Sequence, residues 1–306
     1  MMPDILSAPV RIARHGIRED SQLDLIVRRF MRNKLGVIGL VFTVMYFLFA
    51  MIAPEFVTYD PSAIDAANRL AAPSLEHPFG TDRYGRDVFT RVIVAARQSV
   101  KVATLVVVSS GFIGVTLGLV AGYYRGLVDE AIMRSVDVLF VFPIILMGLI
   151  VIAILGPGLN NAIIALSIAY LPIMIRITRG SAVSVREEEY VLAATAYGEN
   201  SIGIMFRDML PNLISAVMVQ ATITFAFSIL SEAGLSYLGL SAQPPTVTWG
   251  LMVSEGQTTL EIAPWVSFFP GLAIMLTVLG LSFFGMGLRS ALDPKMDIDS
   301  ESMGGI

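Results

Sequence analysis

The sequence predicts an all-α, polytopic membrane protein, and three observations carry the prediction. Of its 306 residues, 55% are hydrophobic and only 15% are charged, whereas soluble domains run at about 45–50% apolar and about 25% charged. The apolar residues gather in long blocks instead of alternating with polar ones, and the blocks are free of Asp, Glu, Lys and Arg. A bilayer core about 30 Å thick is crossed by about 20 such residues in helical form.

The first block, 35–53, follows Arg28, Arg29, Arg32 and Lys34 and is long enough to span. A secretory signal has a shorter apolar run nearer the start and a small-residue cleavage site, so this block is expected to be a retained anchor. Blocks at 102–122, 138–155, 213–230 and 266–288 also meet the length requirement. A shorter one, 159–175, follows the turn residues Gly156-Pro157-Gly158 and is expected to stop at Arg176. The total is about six spans. Pro143, Pro172 and Pro270 lie in or near these blocks and predict bends. Gly114, Gly118 and Gly122 fall four apart, on one helix face that lets a neighbour approach closely.

Positive residues are retained on the cytoplasmic side of short loops. With the N-terminus inside, 15 of the 21 Lys and Arg fall on the cytoplasmic side, which favours N-in and C-in. The other six lie in the segment 54–101, whose length lets it be translocated with less regard to charge. Within it the spacing of Val88, Val92 and Ala95-Ala96 predicts an amphipathic helix lying on the outer surface.

Composition also excludes several chemistries. The chain has no cysteine, which removes disulfides, thiolate metal sites and cysteine nucleophiles together. His15 and His77 are the only histidines, and both read as solvated loop residues. Net charge is −4 with no basic footprint for nucleic acid. None of the three lysines (Lys34, Lys101, Lys295) follows glycine, so there is no Gly-Lys-Ser/Thr phosphate loop. An ion-coupled transporter normally places ionisable groups inside its spans, and these blocks are nearly devoid of them; an intramembrane hydrolase needs a nucleophile and a base there, yet both histidines lie outside the blocks and cysteine is absent. Gln220, Thr222, Thr224, Ser228 and Glu232 are polar residues within the 213–230 block and at its exit. They are candidates for a lined path or for helix-packing bonds, with Glu232 expected at the outer interface.

Between the fourth and fifth spans lies a cytoplasmic stretch, 176–211, that reads as two short helices. Glu187, Glu188 and Glu189 favour a helix start, residues 191–197 continue it, and Gly198 interrupts it. Residues 202–210 resume the helix, and Leu210-Pro211 is expected to turn the chain into the membrane. Ala193 and Ala194 leave a surface open to close approach.

The run Tyr190-Val191-Leu192-Ala193-Ala194-Thr195-Ala196-Tyr197-Gly198, followed by Leu210-Pro211, resembles the EAA loop of permeases in binding-protein-dependent ABC importers. That motif reads Glu-Ala-Ala, three residues, Gly, nine residues, Ile, one residue, Leu-Pro. Two positions depart: Leu192 stands for the Glu and Asp208 for the Ile, with Glu189 nearby as a substitute acid. Three further stretches resemble the dipeptide/oligopeptide/nickel subgroup, dipeptide-permease C type. They are the run from His77-Pro78-Phe79-Gly80-Thr81-Asp82 to Gly85-Arg86-Asp87-Val88-Phe89, the external Leu238-Gly239-Leu240, Gln243-Pro244-Pro245 and Trp249-Gly250, and the ending Ala291-Leu292-Asp293-Pro294.

The resemblance implies a type I ABC importer permease fold in a bacterial inner membrane. It divides the chain into a cytoplasmic tail (1–34), a first helix with a long external segment (35–101), a permease core (102–290) with its coupling loop at about 176–211, and a second tail (291–306). It implies that Glu189, Tyr190, Leu192, Ala193, Ala194, Gly198, Leu210 and Pro211 couple the chain to an ATPase. The partners it implies are a second homologous permease, two ATP-binding subunits holding ATP and Mg, and an extracytoplasmic substrate-binding protein. No cofactor is expected in this chain. Di- or oligopeptides are the implied cargo, with nickel chelates, glycosides or opines as alternatives.

Overall fold

A computed structural model describes residues 22–57 and 59–292, and its regular structure is helical. The expectations for Arg11, Arg14, His15, Arg18, Asp293, Pro294 and Lys295 lie outside the described residues. Five of the described helices are long and apolar enough to cross a membrane, or six if one bent pair is counted as a span. The end of the bundle carrying Arg125, Arg134, Arg176, Arg179, Arg186 and Arg207 is cytoplasmic by the charge rule.

The chain enters through α1 (Gln22–Arg32) and α2 (Lys34–Ile52), with Asn33 between them accepting from the backbone N–H of Gly36 at 3.0 Å. That bond satisfies one of the orphan donors at the start of α2. α2 packs on the last helix, α11 (Trp265–Leu292), by backbone approach: a Cβ added at Gly36 would lie 2.6 Å from the Gly287 Cα. Phe30 closes the corner against the Phe284 ring.

The second span begins earlier than its apolar block. α3 runs from Val88 to Tyr124, and Asp87 caps it by accepting from Thr90 N at 2.7 Å. The expected amphipathic helix on the outer surface is therefore the first part of this 37-residue helix. Its apolar stripe faces protein: Val88, Ala95 and Ala96 are buried in a cluster with Ala50, Trp249 and Val266, and Trp249 Nε1 donates to Val92 O at 2.9 Å. The same stripe suits lipid or protein, and here it is covered by α2, α10 (Trp249–Gln257), α11 and the helix that carries Ala226 and Ile229.

The third span is not one straight helix. α4 (Gly126–Phe140) and α5 (Ile144–Leu155) meet at 90°, so the block expected at 138–155 starts inside one helix and ends in another. Pro143 disfavours helical geometry at Phe142, which breaks the run there. α6 (Leu159–Val185) passes straight through Arg176 instead of stopping at it. Its arginines are matched by α4: Arg179 pairs with Asp129, and Arg176 reaches Asp137 at 2.6 Å while lying over the Phe140 ring.

α3 and α6 cross along the glycine stripe. Added Cβ atoms at Gly114, Gly118 and Gly122 would lie 2.6, 2.6 and 2.5 Å from the Cβ atoms of Met174, Thr178 and Ala182. Beyond α6 come α7 (Glu189–Ala196), the single turn α8 (Ser201–Gly203), a π-helical segment (Ile204–Met209) and α9 (Leu210–Tyr237). Ser201–Tyr237 forms one helical run, so Leu210-Pro211 does not redirect the chain; the break lies at 198–200. In α geometry Pro211 would clash with the Arg207 carbonyl and leave it unbonded. The wider π turn just before it, with Leu210 N bonding Met205 O, absorbs the mismatch, and Asn212 Nδ2 donates to Asp208 O at 2.8 Å.

Because no Cβ fits at Gly118, the variant Gly118→Leu should lower stability by about 1–3 kcal/mol or prevent folding. Thermal unfolding of the purified chain in detergent measures this, and an unchanged midpoint would contradict the crossing.

Candidate functional site

The cytoplasmic loop is built around α7, whose two faces differ. Val191 is 1% exposed and packs with Leu119 of α3, Ala182 of α6, and Ile204, Met205, Met209 and Leu213; Ala194 lies partly buried against the same cluster. The outer side presents Glu189, Tyr190, Leu192, Ala193 and Tyr197, with Leu192 56% and Tyr197 91% exposed. Exposed Ile202 and Phe206 follow on the next helical run. A short helix is thus seated by one valine and turns an apolar, aromatic side to the cytoplasm.

Gly198 ends α7 for a backbone reason. Its φ is +76°, Gly198 N bonds Thr195 O at 3.1 Å, and Glu199 N bonds Ala194 O at 3.1 Å. This is the Schellman arrangement, which satisfies the last carbonyls of a helix and favours glycine at the left-handed position. The loop is tied at its ends as well. Arg125 donates to Val183 O at 3.1 Å and to Glu187 at 2.7 Å, Tyr123 bonds Ser201, and Arg207 pairs with Glu199 at 2.6 Å.

Asp208, where the motif has Ile, keeps Oδ2 buried without a hydrogen-bond partner and Oδ1 3.5 Å from Arg207 Nε. Burial, followed by the charges of Glu188 and Asp208, raises the Tyr190 phenol above its ordinary range, against a hydrogen bond with Asn212 that lowers it. Tyr190 is therefore a protonated hydroxyl on the loop surface. Leu210 and Pro211 sit in the first turn of α9 below α7, Leu210 packed against the Val191 cluster.

The polar residues of α9 bond largely within their own helix. Thr222 and Ser228 donate to the carbonyls of Met218 and Thr224, and Gln220 donates to Thr224 Oγ1 at 3.2 Å. Within this chain these bonds satisfy the groups locally. Glu232 is 1% exposed, so it sits inside the protein near the outer end of α9 and not at an open interface; Ser241 donates to its Oε1 at 2.8 Å.

On the outer side, His77 is not a solvated loop residue. It is buried and lies 2.9 Å from Asp87, the cap of α3. Asp82 accepts from the N–H groups of Tyr84 and Arg86 and from Arg86 Nε, folding the turn onto itself. Arg86 and Arg91 both donate through Nη2 to Glu255 Oε2 at 2.8 Å, pinning α10 to the start of α3. Sequence reasoning missed this cluster, the Gly36–Gly287 approach and the Arg125–Glu187 tie. The glycines of α2 and α11 were a readable signal; the ion pairs, remote in sequence, were not.

The family described as "Binding-protein-dependent transport system inner membrane component" matches residues 114–298, more than half of the chain and all of the loop. The chain belongs to this permease family. A second family, "N-terminal TM domain of oligopeptide transport permease C", matches residues 21–73 of the permease. The permease is 44% identical over 269 residues to the dipeptide transport system permease protein DppC of Alkalihalophilus pseudofirmus, covering 88% of each chain. It is 39% identical to a putative peptide transport system permease protein of Brucella suis, covering 97% of this chain and 96% of the relative. It is 42% identical to the glutathione transport system permease protein GsiD of Escherichia coli, covering 88% and 89%. The inward-facing MetNI methionine ABC transporter shares the fold, with a TM-score of 0.55 and 16% identity over 66% of this chain and 96% of that one. The permease is accordingly a multi-pass inner-membrane protein of the type I importer fold.

Two outcomes follow from the geometry. Gly198→Ala should cost about 1–2 kcal/mol of local stability and speed amide exchange at 194–199, read by hydrogen exchange with mass spectrometry. Glu232→Gln keeps the acceptor for Ser241 and should purify like the wild type, whereas Glu232→Ala leaves that hydroxyl unpaired and should lower the melting temperature.

Proposed function

We propose that this permease is the translocation subunit of an ATP-driven importer of short peptides. It forms the pathway with a second homologous permease, receives cargo from an extracytoplasmic binding protein, and is driven by two ATP-binding subunits that hold ATP and Mg. The observation that carries the reading is α7: an exposed apolar helix on a firm footing, at the arginine-rich end of the bundle, inside the matched family segment. The absence of a phosphate loop from the sequence agrees with nucleotide being bound by other chains.

In this reading Glu189, Tyr190, Leu192 and Ala193 meet a cleft on the ATPase, while Ala194, Gly198, Leu210 and Pro211 hold α7 at its angle. Leu192 replaces a charge-assisted contact with an apolar one. When the ATPases close on ATP they draw α7 with them, and the helices switch from inward-facing to outward-facing by rigid-body motion. Peptide cargo is supported by the relatives, whose names specify dipeptide, peptide and glutathione, itself a tripeptide.

Coexpression with the neighbouring transport genes and reconstitution in nanodiscs tests this: peptide-loaded binding protein should stimulate ATP hydrolysis. Leu192 is exposed, so Leu192→Asp leaves folding intact and should weaken ATPase copurification and stimulated turnover on the order of tenfold. Uptake driven by a proton or sodium gradient without ATP would refute the importer reading, and normal coupling in Leu192→Asp would refute the docking role of α7.

A further inference from the structure

A cavity of about 480 Å³ opens on the outer side of the permease where the 62–91 segment meets α10. Its polar wall is Arg83, Tyr84, Arg86, Arg91 and Glu255. Pro244, Val247 and Leu251 form an apolar wall beside them. The inner arginines are held rigidly by Glu255 and Asp82, with side chains 12% and 3% exposed. A guanidinium carries five N–H donors. Arg86 directs Nε and Nη2 to these carboxylates, and Arg91 directs Nη2 to Glu255 with its Nε 3.8 Å from Asp82 Oδ2, so the Nη1 groups of both make no hydrogen bond among the described residues. Arg83 stands exposed at the mouth over the Tyr84 ring, 4.7 Å from its centroid, with no carboxylate in salt-bridge reach among the described residues. Three arginines thus face two carboxylates, and the surplus cation is the one at the rim.

We infer that this cavity seats an acidic side chain, flanked by an apolar residue, of the extracytoplasmic binding protein when that protein docks. The inference rests on the importer reading above. Charge complementarity selects a carboxylate, and the proline, valine and leucine wall selects an apolar neighbour beside it. Position selects the docked protein over the travelling cargo: no residue of α5, α6 or α9 lines the cavity, so it belongs to the outer cap and not to the interior of the bundle. The guanidinium forks are fixed in advance by buried partners, which removes ordering cost when the carboxylate arrives.

The test uses the whole complex in nanodiscs, titrated with loaded binding protein and read by direct binding and by stimulated ATP hydrolysis. Arg83→Glu, which leaves the buried cluster untouched, should raise the half-saturating binding-protein concentration on the order of tenfold at low salt, with the difference shrinking at high salt. Arg83→Lys should restore most of the affinity, and copurification of the ATPases verifies assembly of both variants. An unchanged half-saturation in Arg83→Glu overturns the inference while leaving the importer reading intact. A defect that appears with free-acid peptide cargo and vanishes with C-terminally amidated cargo also overturns it, since the carboxylate then belongs to the cargo. A wild-type complex that the binding protein fails to stimulate sinks the importer reading and this inference with it.

Discussion

The crossing of α3 and α6 is the constraint on which the rest of the molecule depends. Hydrocarbon offers helices no hydrophobic reason to associate, so pairing rests on close packing and on interhelical hydrogen bonds. Gly114, Gly118 and Gly122 provide the first against Met174, Thr178 and Ala182, and Ser109 with Ser167 provides the second at 2.6 Å. The outer end of α3 brings Arg91 and Val92 to α10, and its inner part puts Leu119 beneath α7. One packed interface therefore fixes the separation between the outer cap and the cytoplasmic loop. α2 and α11 repeat the device with Gly36 and Gly287.

What could be read from the sequence was what is local in it. The apolar blocks lack charge, the glycines repeat every fourth residue, and Gly198 breaks a run of good helix formers, so spans, crossing face and loop break were all legible. Helix ends were misread where a charge is neutralised from far away. The amphipathic stretch at Val88 and Val92 and the apolar block at 102–122 were read as separate elements, yet they are one helix, and Arg91 within it is paired with Glu255, 164 residues on. Arg176 suggested a stop, yet Asp137 on α4 holds it. The 138–155 block gave no sign of a right-angle bend beyond Pro143, because hydrophobicity reports burial in lipid and not helix direction.

The loop shows the same division. Its place and helical character follow from residue types and spacing, but the assignment of faces needed the fold. Ala193 and Ala194 are adjacent and chemically identical, yet one faces water and the other leans on the cluster around Val191. The departure at Asp208 also becomes intelligible only in three dimensions, where one carboxylate oxygen is buried unbonded and the other lies near Arg207. The family match over 114–298 fixes the kind of protein, and the altered Leu192 and Asp208 mark where its contacts are its own.

The unbroken run from Ser201 to Tyr237 has 37 residues, which at helical rise makes a beam about 55 Å long, nearly twice the hydrocarbon thickness of about 30 Å. At the π turn before Pro211, Leu210 N bonds Met205 O and the helix continues through the proline. For a beam that moves as one body, a swing of about 10° around its midpoint carries each tip roughly 5 Å in opposite directions. The far tip holds Glu232, to which Ser241 of the following external segment is bonded, so a rigid swing that moves the cytoplasmic tip one way moves this external contact the other way.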